Sequence, residues 1–175
     1  MESFPKEEIL DVCRRLGPSL QIPAGVDPVA CMIALASNES SIGHDCGPRH
    51  ESSYDTGGYV YRHSEEQRDL VDKYNSKAAA SYGPWQMMFI DFQPGSQDEI
   101  YFGTADLTLY ALEFVRFFNV YVIRTRHAQT LQEIGEVWNL GHIGSDPAYV
   151  NKLEQAYTLA VNNLGETNAQ SVANN

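Results

Sequence analysis

Apolar side chains recur at helical spacing in several separated stretches of this 175-residue chain. After Pro5, Ile9, Val12, Cys13 and Leu16 form one stripe, and Gly17-Pro18 ends it, so a short helix is expected over residues 6–16. Residues 17–26 read as a connector. Asp27-Pro28 then combines an N-cap residue with proline at the first helical position. The segment that follows is apolar on nearly every face up to Ser37, which predicts a helix running through the core. Cys31, Leu35 and Glu39 lie four residues apart on one face of it, so a carboxylate ends a buried apolar helix.

The periodicity breaks over residues 40–63, which are rich in glycine, histidine and tyrosine. A long irregular loop is expected here, with room for a short β-hairpin around Tyr59-Val60-Tyr61; loops of this length in compact domains are usually functional. Ser64 with Gln67 makes a capping box for a helix to about Tyr74. Thr104 or Asp106 opens a helix over roughly 105–122, with Leu107, Tyr110, Ala111, Phe114, Val115 and Phe118 on one side. Thr130 with Glu133 opens another that reaches Asn139 before Gly141. Asp146-Pro147 starts a last helix that Gly165 is expected to end. No repeat or interdomain linker interrupts the pattern. It predicts one mainly α domain of six or seven helices over residues 1–165, followed by a polar, frayed tail over 166–175.

Composition changes this picture little. The hydrophobic share of 43% is ordinary for a folded protein, and no apolar run approaches the roughly 18 residues needed to span a bilayer. No basic and apolar leader is visible in MESFPKEEIL. The formal net charge of -11 disfavours nucleic acid and anionic surfaces. Of the three cysteines, Cys31 and Cys46 could form a bridge, or all three could be buried thiols. His44, Cys46, His50 and Glu51 are metal-ligating residue types, but their spacing fits no standard zinc site.

Three segments carry candidate chemistry: Asn38-Glu39-Ser40-Ser41, Ser81-Tyr82-Gly83-Pro84-Trp85-Gln86-Met87, and Val137-Trp138-Asn139-Leu140-Gly141. Their order resembles the soluble lytic transglycosylase and goose-type lysozyme superfamily over roughly residues 27–165. That superfamily has a helix ending in Glu-Ser, then Gly-Leu-Met-Gln, then Tyr-Asn followed closely by glycine. The chain departs from it in two places: Gly83 and Gln86 match but Pro84-Trp85 replaces the middle of the second segment, and Trp138 replaces the tyrosine. An indole can only donate through its nitrogen, so a tyrosine role there is not carried over.

The resemblance implies a lysozyme-like fold, Glu39 as acid and base, and a peptidoglycan glycan strand as partner. It implies no metal or cofactor, and a monomer acting on the cell wall, whether periplasmic, extracellular or phage-borne. Ser81, Gly83, Gln86, Trp138, Asn139, Glu51 and Tyr54 are the expected substrate-binding residues, with Trp85, Tyr59 and Tyr61 as further groove-wall candidates. Physical chemistry favours Glu39 independently. A carboxyl at the end of an apolar helix loses hydration in its charged form and faces the negative end of the helix dipole, and both raise its pKa. Hydrolysis needs a second carboxylate. Asp45, Glu51 and Asp55 are the loop candidates, and none matches cleanly. Asp91 lies later than the position of a goose-type aspartate. Cleavage of the MurNAc–GlcNAc β-1,4 bond with formation of a 1,6-anhydro end is therefore favoured over a muramidase. An inactive sugar-binding module is the reading from another class.

Overall fold

The structure is a computed structural model that describes residues 3–173, with side chains described up to residue 165. It is mainly helical with a small sheet. Eight α-helices occur among the described residues: α1 (Lys6–Leu16), α2 (Pro28–Ser40), α3 (Tyr59–His63), α4 (Glu65–Tyr74), α5 (Pro94–Phe102), α6 (Leu107–Phe117), α7 (Leu131–Leu140) and α8 (Pro147–Ala173). Strands β1 (Arg49–His50), β2 (Ala80–Tyr82) and β3 (Met87–Met88) form one antiparallel sheet in that order. No described helix is long and apolar enough to cross a membrane.

Helix α2 is the axle of the fold. Asp27 caps it by accepting the Ala30 N–H at 2.8 Å. Every residue from Ala30 to Ala36 is buried, and α1 and α8 pack on it. It ends sharply because Ser41 and Ile42 take left-handed conformations (φ 52° each) and Gly43 follows at φ 91°. Ser40 ties the turn: its hydroxyl donates to the Ala36 carbonyl and accepts the Gly43 N–H at 2.9 Å. A β-carbon on Gly43 would lie 2.1 Å from the Ile9 side chain, so glycine is required there by contact as well as by φ. The chain thus leaves α2 immediately after Glu39 and Ser40, and the Glu39 side chain is not buried under a continuing helix.

Several expectations are corrected. Tyr59-Val60-Tyr61 is not a hairpin but the short helix α3. The Ser53 carbonyl accepts the Val60 and Tyr61 N–H groups, and Tyr59 stacks on His63 one turn later at 4.4 Å, so loop closure overrides β propensity. The helix expected over 105–122 is α-helical only to Phe117; residues Phe118–Thr125 form a π-helical segment. Helix α5, which carries no side-chain cap, was not anticipated. Gly165 does not end the last helix, which runs on to Ala173, so the expected frayed tail is largely helical backbone. Gly141 and Gly103 do end helices, because each adopts a left-handed φ (76° and 72°); Gly165 does not adopt one. Cys31 and Cys46 are not bridged; all three cysteines are buried thiols, and burial pushes the Cys13 thiol up to about 12.

Trp85 also moves from candidate groove wall to core. It is 1% exposed, stacks on Phe114 at 4.9 Å, and donates its indole N–H to the Met32 carbonyl of α2 at 3.0 Å. Pro84 and Trp85 are both buried, and the turn they belong to pins the sheet to α2 and α6.

Candidate functional site

Sequence-distant segments meet around a cavity of about 480 Å³ at the C-terminal end of α2. Glu39 enters from α2, Arg49 and Glu51 from β1 and its following turn, and Ser81, Gln86, Met87 and Met88 from β2 and β3. Asp91 follows the sheet, Phe117 and Tyr121 come from α6 and the π segment, and Trp138 to Gly141 close the wall from α7. That volume and mixed lining are typical of a small-molecule or oligomer subsite.

The Glu39 carboxyl is held by three neighbours. The Tyr149 hydroxyl, from the first turn of α8, donates to Oε1 at 2.5 Å. The Trp138 indole is a second donor toward it, and Arg49 supplies positive charge nearby. Arg49 also donates to the Glu39 backbone carbonyl, one of the orphan acceptors at the end of α2. Burial raises the Glu39 pKa above its ordinary value, and the Tyr149 hydrogen bond, Arg49 and the Trp138 hydrogen bond pull back against it. Tyr149 is pushed up by burial and by the adjacent Glu39, so it remains a neutral phenol able to donate. The arrangement suits a carboxylic acid that gives up a proton and is then stabilised as a carboxylate by preplaced donors.

Of the expected binding residues, Ser81, Gln86, Trp138, Asn139, Glu51 and Tyr54 all line this cavity together with Glu39. Gly83 does not. It turns the chain at φ 75°, and a β-carbon there would come within 2.6 Å of the Tyr110 ring, so its requirement is close packing. Tyr59, 66% exposed, and Tyr61 lie outside the cavity lining.

Two of the lining residues are more committed to the protein than expected. Gln86, at φ 48°, donates its amide to the Gly83 and Gly47 carbonyls and accepts the Ser81 hydroxyl at 2.9 Å, which leaves one lone pair for a ligand. Asn139 donates to Asp146 at 2.5 Å, and the other oxygen of Asp146 caps α8 by accepting the Tyr149 N–H. Asn139 therefore helps fix the helix turn that presents the phenol to Glu39.

Tyr149, Phe117 and Tyr121 were not anticipated. Tyr149 brings its hydroxyl to Glu39 from α8, eleven positions beyond Trp138 along the chain. The only local signal was the Asp146-Pro147 helix start, which places Tyr149 in the first turn but says nothing of its partner. Among the carboxylates, Asp45 faces Arg49 at 3.7 Å and Asp55 pairs with His50 at 2.8 Å. Glu51 and Asp91 line the cavity. Burial pushes Asp91 up to about 7, opposed by Arg116 and the Met88 N–H and assisted by Glu66. No group of three or more potential metal ligands is gathered among the described residues.

If Glu39 serves as a general acid, replacing Tyr149 with phenylalanine is expected to lower kcat/KM by about 10- to 100-fold, the range for a hydrogen bond to a charged group. The phenol's bond strengthens as Glu39 becomes a carboxylate, so its loss falls on the chemical step. It also stabilises the ionised form in the resting protein, so Glu39 should titrate higher in the variant. The decline of activity at alkaline pH should then begin at higher pH than in the wild type. An unshifted pH–rate profile would show that the phenol does not control Glu39.

No protein-family model, curated protein or solved structure matches the chain.

Proposed function

We propose that the chain is a lysozyme-like domain that acts as a peptidoglycan lytic transglycosylase on bacterial cell wall. The observation that carries this reading is the Glu39 carboxyl at the end of a buried helix, facing a cavity, raised by burial and held by Tyr149 at 2.5 Å. A helix ending in that acid, a small antiparallel sheet after it, and further helices closing the cavity support the fold assignment.

In this mechanism protonated Glu39 donates to the glycosidic oxygen between MurNAc and GlcNAc, and the C1–O4 bond breaks. The positive charge that develops at C1 is relieved by the sugar's own C6 hydroxyl. Glu39, now a carboxylate stabilised by Tyr149 and the Trp138 indole, takes the hydroxyl proton as O6 bonds to C1. The product is a 1,6-anhydro-MurNAc end, the acid is regenerated, and no water is consumed.

One observation favours a muramidase as the second reading: Asp91 lines the same cavity and could serve a water-dependent route. Mass spectrometry of digested peptidoglycan separates the two. Transglycosylation gives ends lighter by one water, unaffected in kind by Asp91→Asn. Reducing ends that disappear with Asp91→Asn would make the enzyme a hydrolase. Intact strands after exposure to folded protein would remove both readings and leave a sugar-binding module.

A further inference from the structure

The phenol that holds Glu39 is itself approached from its other side. Tyr149 donates its one hydroxyl proton to Glu39 Oε1 at 2.5 Å, so its oxygen is left only as an acceptor. The Asn38 side chain stands beside that oxygen as a donor. Cys31 also lies near the phenol. Cys31 and Asn38 are seven residues apart, so they share one face of α2, the helix on which α8 packs. Glu39 is the next residue, about 100° further round the helix. It turns to the cavity, whereas Asn38 does not line that cavity.

Asn38 carries a buried polar group that the local structure leaves unfinished. Its amide nitrogen is buried and makes no fully aligned hydrogen bond. Buried donors are almost always paired, and one that is not calls for a reason. Hydrogen bonds at reacting centres are often long or poorly aligned in the resting protein and tighten as charge develops. Here the charge develops one hydrogen bond away. When Glu39 loses its proton, the Tyr149 hydroxyl is drawn toward the carboxylate and its oxygen gains electron density. The oxygen then becomes a better acceptor for the Asn38 N–H.

We propose that Asn38 is a positioning residue for the Glu39 acid, acting through Tyr149 in a relay from amide to phenol to carboxyl. This inference rests on the reading of Glu39 as acid and base. Asn38 touches neither the cavity nor the reacting atoms, and its effect reaches Glu39 only by way of the phenol.

The other groups around the acid are independent of this relay. Arg49 and Glu51 come from β1 and its following turn, with Tyr54 beyond them, and Asp91 and Tyr121 line the same cavity. Cys31 is a buried thiol. All of these stay in place when Asn38 is changed, so a shift carried by the phenol must vanish when the phenol is removed.

The test follows the Glu39 carboxyl titration by carbon NMR on labelled protein, in Asn38→Leu and Tyr149→Phe singly and together. Asn38→Leu deletes the donor and keeps most of the volume. Without that donor the phenol is a weaker donor to the carboxylate, so Glu39 should titrate higher than in the wild type. The alkaline decline of activity should move up with it, and kcat/KM should fall by about two- to tenfold, the range for a neutral hydrogen bond. In Tyr149→Phe protein, Asn38→Leu should add no further shift. The amide spectrum reports whether each variant is folded, and Asn38→Ala repeats the measurement where leucine does not fit. A Glu39 titration unmoved by loss of the Asn38 donor would overturn the relay. An equal rise with and without the phenol would also overturn it, since Asn38 would then act on Glu39 by another route. Wild-type protein that cleaves no strand would instead remove the proposed function, while the titrations still decide the relay.

Discussion

Under the proposed transglycosylase mechanism, Glu39→Gln is expected to lower strand cleavage by about 10²- to 10⁴-fold, the range associated with loss of a general acid. Glutamine has nearly the same shape and keeps an oxygen that Tyr149 and Trp138 can still donate to. The Arg49 bond goes to the backbone carbonyl and is unaffected. The loss should therefore fall on kcat with little change in oligosaccharide affinity, a combination that separates proton transfer from binding. The variant should also be more stable than wild type in one pH window. Burial raises the folded-state pKa of Glu39 above its ordinary value. That contribution to wild-type stability is complete below the ordinary carboxylate range and is lost as pH rises through the folded pKa. Glutamine has no such loss, so denaturant midpoints should coincide at low pH and diverge in the variant's favour as pH rises. Residual activity near wild-type level would remove Glu39 from the mechanism.

The second large effect is on stability. Trp85→Ala is expected to cost about 3–5 kcal/mol, the range for deleting a large aromatic side chain from a core. Trp85 is 1% exposed, its ring stacks on Phe114, and its N–H donates a second hydrogen bond to the Met32 carbonyl in the middle of α2. Removal leaves a void against the helix that carries Glu39 and takes away the second hydrogen bond to the Met32 carbonyl. Chemical denaturation at neutral pH measures this directly. Trp85→Phe, which keeps most of the stack and loses only the indole donor, should cost a fraction of it. If Trp85→Ala retained wild-type stability and lost only sugar affinity, the residue would belong to the groove after all.

The effects differ because the two residues occupy different layers. Trp85 builds the support under α2, whereas Glu39 projects from the end of that helix into the cavity. Directly after Glu39 stands the sharp turn at Ser41, Ile42 and Gly43. It halts the helix and lets the carboxyl meet donors from α7 and α8 and the Arg49 charge from β1. The site is thus assembled from short-range geometry at the end of α2 and long-range packing of α8 against it.

Much of this was readable along the chain. Local rules are enough to start α2 at Asp27-Pro28, to cap α4 at Ser64 and α7 at Thr130, and to end α7 at Gly141, because each depends on groups only a few residues apart. The end-of-helix position of Glu39 and its burial follow from the same local pattern. What tertiary structure decided is everything that depends on partners far away in sequence. Tyr149 reaches Glu39 only because α8 packs across α2, 110 residues on. Trp85 is core because α6 presents Phe114 to it, and Gly83 is needed because Tyr110 lies against it. The change from α- to π-helix at Phe118 gives no periodicity signal, since one extra residue per turn shifts the apolar stripe without erasing it. The sequence by itself determined where helices begin and which acid ends the buried one. The fold decided which side chains surround that acid, because periodicity reports which face of an element is buried and not what lies against it.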